Sequence, residues 1–224
     1  MTEDILKVLG ITSNELTEIV KENPSLRGFI SGYISEYKLR KFFSEDKRIS
    51  SVRKYDDHDR TRKSDIVFTY KGCDISVEVK SLQTNTIRKD GDIYSGKTQC
   101  DASDKRPIKF PNGKILSTTC LLIGEFDLLA VNLFTFENQW HFIFSKNSDL
   151  PRSKYRKYTP AQRKYLISSL IEVSWPPKPP FTTDVFKLLD EIVKDKVMHR
   201  EPVKVKEKEA NDLLEIQGSK NDSS

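Results

Sequence analysis

The chain has 224 residues, 36% of them apolar and 32% charged, which allows one domain with a substantial core under a heavily charged surface. A net charge of +5 permits a polyanionic partner without requiring one. Cys73, Cys100 and Cys120 are odd in number and lack C-x-x-C spacing, which argues against a disulfide framework or a zinc site. The start, M-T-E-D-I-L-K, lacks the pattern of a signal peptide, and no apolar run approaches the ~20 residues that span a bilayer. A cytoplasmic chain with no membrane partner is the expectation.

In chain order, residues 3–22 read as two short helices, the second opened by Thr12 and Ser13 as cap candidates. Asn23-Pro24 starts a third helix, in which Leu26, Phe29, Ile30, Tyr33, Ile34, Tyr37 and Phe42 recur at three- and four-residue steps to about residue 44. Residues 46–63 are basic and polar and read as a loop. Two strands, 65–70 and 74–82, follow around a tight turn at Lys71-Gly72.

The segment 84–115 is polar, with one short strand expected near Lys97–Asp101. L-L-A-V-N-L-F, within 119–134, reads as a buried strand, and Asn138-Gln139 turns the chain into W-H-F-I-F to make a hairpin. Thr159-Pro160 caps a helix expected to reach about 171. W-P-P-K-P-P-F at 175–181 is a stiff connector to a helix over 181–198, both of them candidate docking elements, and the charged tail from 199 to 224 is expected to be disordered. Strands mixed with helices and at least two hairpins predict an α/β fold, a mixed β-sheet flanked by α-helices on both faces.

The positive charge is clustered. Lys38, Arg40 and Lys41 form one group. Arg53, Lys54, Arg60, Arg62 and Lys63 belong to a second, and Arg152, Lys154, Arg156 and Lys157 to a third, interleaved with Tyr155, Tyr158 and Tyr165. A solvated face would read the same way, but interleaved aromatics suit a grip on a nucleic-acid backbone. Lys97 is a further candidate phosphate contact, and Gln99 a candidate contact to bases, although a polar loop that caps itself is the simpler reading of that stretch.

Folding 65–70 against 74–82 around a four-residue turn at 71–74 sets Tyr70 opposite Ile75, Val67 opposite Glu78 and Asp65 opposite Lys80. Asp65, Glu78 and Lys80 then share a face, with Asp65 and Glu78 as diagonal neighbours roughly 7–8 Å apart at the backbone. Two converging carboxylates suit a hard divalent cation, and a lysine beside them can hold or deprotonate a water. A polar solvent face with an ordinary surface ion pair has the same spacing, and an odd-length turn would send Asp65 to the other face.

S-D-I-V-F and V-E-V-K, thirteen residues from Asp65 to Glu78, preceded by a helix carrying a glutamate in G-Y-I-S-E-Y-K-L-R-K, resemble the PD-(D/E)xK nuclease superfamily with its restriction-endonuclease-like fold. Ser64 stands where that family often has proline. E-V-K-S-L-Q, Q-C-D-A-S-D-K-R and F-D-L-L-A-V-N-L-F also look like small bacterial restriction endonucleases.

The resemblance covers roughly 25–175. It implies a nuclease domain over 1–174, Mg²⁺ dependence with Mn²⁺ as substitute, and DNA as substrate. Asp65 and Glu78 would be metal ligands, Glu36 a further helix-borne ligand and Lys80 the catalytic lysine. It also implies a restriction or phage-defence role, with a homodimer or a larger defence complex as the working form. A non-catalytic DNA-binding or adaptor protein that keeps the fold is the alternative.

G-D-I-Y-S-G-K-T at 91–98 matches a P-loop pattern, but its polar flanks supply neither the buried strand nor the helix that a P-loop needs, so no nucleotide is expected.

Overall fold

The computed structural model describes residues 3–54 and 64–198. Arg60, Arg62, Lys63 and the tail from 199 lie outside the described residues.

Three helices open the chain: α1 (Ile5–Leu9), α2 (Ser13–Glu22) and α3 (Pro24–Ser44). Thr12 and Glu15 form a reciprocal capping box at the head of α2, and Pro24 occupies the first turn of α3, where its missing N–H costs nothing. The expected helices therefore form where they were placed. Their packing does not follow the expected stripe. The face of α3 that meets the sheet is Ser35, Leu39 and Phe43, whereas Leu26, Phe29, Tyr33, Ile34 and Tyr37 face outward. The helix is apolar on two sides, so periodicity alone cannot say which side packs.

The main sheet has the order β1-β2-β3-β8-β9, formed by Ile49–Arg53, Ile66–Tyr70, Cys73–Ser81, Leu128–Asn132 and Phe142–Lys146. β1 lies in the stretch expected to be loop. It is an edge strand with one buried residue, Ile49, and a break in register between Ser50 and Arg53, so its sequence carries little strand signal. β2 and β3 form the expected hairpin, β3 and β8 run parallel, and β8 and β9 run antiparallel. Parallel neighbours need a crossover, and here residues 82–127 supply one built of strands rather than of a helix.

Odd-numbered positions of β3 (Ile75, Val77, Val79) point into a core completed by Leu39 and Phe43 of α3 and by Val185, Leu188, Leu189 and Ile192 of the last helix, α6 (Val185–Met198). The apolar face of α6 thus packs on the sheet rather than standing free for a partner.

The opposite face of the sheet, with Leu129, Val131 and Ile143, is covered by a second sheet of order β10-β5-β4 (Leu170–Trp175, Ile93–Gln99, Arg88–Asp90). The one-turn helix α4 (Phe134–Glu137) adds Phe136 there. The fold is the expected mixed α/β one, with the two faces unequally served: long helices on one side, a small sheet and a single turn on the other.

Two expectations fail in this region. The polar stretch 84–115 holds three strands and the first residue of a fourth, the last two being β6 (Asp101–Lys109) and β7 (Ile115–Cys120), paired as a separate ribbon. Most of their residues stay exposed or half-buried, so they lack the apolar alternation that would announce them. The helix opened by Thr159-Pro160, α5, stops at Arg163. Ile171 and Val173 alternate into the core as β10, where β-branched side chains suit a pleated surface. The P-loop-like segment 91–98 is the turn and second strand of the β4–β5 hairpin, with no helix after it.

Candidate metal centre

The site is built by the β2–β3 turn. Lys71 and Gly72 both have positive φ (47° and 76°), the two-residue turn whose twist suits a hairpin, and glycine takes its place there without strain. This turn is two residues shorter than the expected one. The ladder therefore pairs Tyr70 with Cys73 and Ile66 with Val77, a shift of two residues. An even shift keeps every side chain on its expected face while changing its opposite number. One step further along, Asp65 falls opposite Glu78 rather than diagonal to it.

There the chain bends: the Asp65 N–H bonds to the Val77 carbonyl (3.1 Å), and the Val79 N–H donates to Asp65 Oδ2 (2.7 Å). That second bond fixes the carboxylate of Asp65 beside the Glu78 backbone.

Glu78 and Lys80 project to the same side of β3, toward the second sheet. Glu78 is 9% exposed, and Lys80 Nζ lies 2.7 Å from Glu78 Oε1 and 3.4 Å from the Asp101 carbonyl. Burial, and then the negative charge of Asp65, push the Glu78 carboxyl up to about 7, against the opposing pull of Lys80. Burial works against the Lys80 ammonium, but Glu78 and Asp65 outweigh it and hold the lysine well above its ordinary value. The centre is thus two carboxylates that repel one another, with the Lys80 ammonium paired to Glu78.

Two further groups act on it that carry no motif. Glu125, 4% exposed at its side chain, adds its charge to the field at Glu78 and is held by the Arg106 guanidinium and the Leu122 N–H. Cys100 is buried beside Lys80, and burial raises its thiol to about 12, so it stays neutral. Neither was visible in the sequence, because G-E-F-D and Q-C-D are common strings whose partners come from other strands.

Asp65, Glu78 and Lys80 are the predicted residues that the fold brings together. Glu36 does not join them as a third ligand: it pairs with Lys54 at 2.7 Å, and no group of three ligating side chains occurs among the described residues. The reason lies in α3, which turns Leu39 and Phe43 to the sheet and leaves Glu36 at the edge of that face, within reach of the end of β1.

Arg53 pairs with Asp74 (2.7 Å). Lys97 lies 3.5 Å from Glu172 on the outer face of the second sheet, over a cleft of about 700 Å³. Gln99 accepts from Gln83 (2.7 Å) and donates to Asp101 (3.2 Å), so its amide is already oriented. Arg152 is turned to the carbonyls of Leu150 and Ser148, whereas Lys154, Arg156 and Lys157 are exposed on the loop before α5.

A pair of carboxylates with one of them poised near neutrality fits a single divalent cation. Mg²⁺ typically takes one or two protein carboxylates and leaves its other positions to water and phosphate, and its charge would relieve the repulsion that raises Glu78.

No family model and no curated protein matches the chain. Among solved structures it is similar to a bacterial homing endonuclease, I-Ssp6803I, at 17% identity over 63% of this chain and 87% of that one, with a TM-score of 0.32. That likeness is too loose to define a shared fold. No helix among the described residues is long and apolar enough to cross a membrane.

Proposed function

We propose that the chain is a divalent-metal-dependent nuclease that hydrolyses phosphodiester bonds of DNA. The observation that carries the reading is the pair of carboxylates, half-buried Asp65 and buried Glu78, with Lys80 on the same face of one hairpin. Asp65 and Glu78 would hold Mg²⁺, or Mn²⁺ in its place, and the ion would supply charge to the scissile phosphate and acidity to bound water. Lys80 is tethered by Glu78 and the Asp101 carbonyl, so its ammonium can orient the attacking water or neutralise charge developing on phosphorus.

The exposed Lys154, Arg156 and Lys157 are the phosphate-backbone contacts, and Lys97 and Gln99 lie on the outer face that continues from the site through Asp101. A restriction or phage-defence role, alone or as the nuclease subunit of a larger complex, follows the resemblance of S-D-I-V-F and V-E-V-K to small bacterial restriction endonucleases.

Incubating supercoiled plasmid and linear duplex with Mg²⁺, Mn²⁺ or EDTA tests the reading. Metal-dependent nicking or linearisation is the expected result. DNA binding without cleavage or metal binding would make the chain the non-catalytic adaptor instead.

A further inference from the structure

The first three helices contain no buried residue before Ser35. Residues 3–34 therefore have no core of their own, yet they are rich in large apolar side chains. On α3, Leu26, Phe29, Tyr33, Ile34 and Tyr37 are 37–68% exposed. On the two helices before it, Ile5, Val8, Leu9 and Ile19 are 41–61% exposed. With about 200 Å² for a fully exposed side chain of this size, the nine together offer roughly 900 Å². A monomer rarely leaves so much apolar surface in one region uncovered.

The seam on α3 has the spacing of a helix–helix contact. Leu26, Ile30, Tyr33 and Tyr37 follow one another at four, three and four residues, the step of the apolar positions in a coiled coil. Phe29 and Ile34 widen it on either side. A stripe of this kind calls for a second helix with the same period.

We propose that this seam joins two copies of the chain, α3 against α3 in antiparallel order about a two-fold axis near residues 31 and 32. Leu26 of one copy then meets Tyr37 of the other, and Ile30 meets Tyr33, so each pairing occurs twice, an aliphatic side chain against an aromatic one. The area supports this occupant: α3 offers roughly 500 Å² of the ~800 Å² that a standard interface takes from each partner, and Ile5, Val8, Leu9 and Ile19 on the two helices before it supply the rest. The charges beside the seam, Arg27 and Lys38, come near their like across the axis, so salt screens a repulsion here rather than an attraction.

Sedimentation of the full chain over a concentration series tests the proposal. Wild type is expected to be dimeric, and the dissociation constant should rise roughly 100-fold or more in Phe29→Asp/Tyr37→Asp, with unchanged far-ultraviolet circular dichroism. Raising the salt should leave the wild-type dimer as tight or tighter.

A second variant serves if the first misfolds. Leu26→Cys/Tyr37→Cys should oxidise to a covalent dimer, because the two positions are about 16 Å apart along one helix and cannot bridge within it. The native cysteines are all buried. A wild-type monomer at every concentration, or a dimer that neither variant alters, would overturn the proposal. So would a variant that loses affinity for single-stranded DNA while the mass stays monomeric, since the seam would then be a stacking surface for bases.

Discussion

Replacing Glu78 by glutamine removes one titrating carboxyl and leaves a side chain of the same shape. In the folded protein that carboxyl is raised from 4.5 to about 7, by burial first and by Asp65 second. Its stabilising contribution is fully present below about 4.5, is lost as pH rises to about 7, and stays lost above it, because the unfolded chain releases the proton earlier.

At about 1.36 kcal/mol per pH unit, a rise of this size comes to roughly 3 kcal/mol. Among the described residues the charges that act on Glu78 are Asp65, Lys80 and Glu125. Lys80 is held above its ordinary value, so it stays protonated throughout.

Urea unfolding of metal-free wild type and Glu78→Gln between pH 4.5 and 8 isolates the effect. The wild type should lose about 3 kcal/mol more than the variant over that span. Parallel curves would refute the reasoning, since Glu78 would then titrate alike folded and unfolded. Mn²⁺ at about 100 times its dissociation constant should return ~2.7 kcal/mol to the wild type at pH 8, and less at pH 5, where a proton competes for the carboxylate.

Arg106→Met leaves Glu125 buried without its guanidinium and should cost about 3 kcal/mol in the same assay, with the thermal midpoint falling in step. Leu189→Ala empties a fully buried position between α6 and the main sheet and should cost ~2–5 kcal/mol. Changing Lys154, Arg156 and Lys157 together to alanine should flatten the salt dependence of DNA binding, the slope of log K against log salt falling by about 0.9 for each phosphate left without its cation; an unchanged slope would place the duplex elsewhere.

How much of this was legible in the sequence depended on how locally each feature is determined. The caps at Thr12, Pro24 and Thr159 and the hairpin at Lys71-Gly72 are set by neighbours, and all four elements start where their residues say. The common face of Asp65, Glu78 and Lys80 was legible because only the parity of the turn matters to it. The register was not, because a two-residue and a four-residue turn share that parity.

The polar strand β5 escapes the sequence pattern because its order comes from pairing with Leu170–Trp175, seventy and more residues away, while β4 and β6 pair with β5 and β7, themselves mostly exposed or half-buried. α3 shows the same limit in a helix. Its longest apolar stripe looks outward, and Leu39 and Phe43, fewer in number, meet the sheet. Arg106 and Glu125 reach the site from separate segments, so no string of letters could pair them.

The central claim is that Asp65, Glu78 and Lys80 form a metal-dependent hydrolytic site, and the most direct measurement compares wild type with Lys80→Ala in one reaction. DNA cleavage is followed beside Mn²⁺ binding read by electron paramagnetic resonance. The account predicts that the variant still binds Mn²⁺ through Asp65 and Glu78 but no longer cuts. Cleavage by the variant at the wild-type rate, or wild-type cleavage that persists in EDTA, would contradict it.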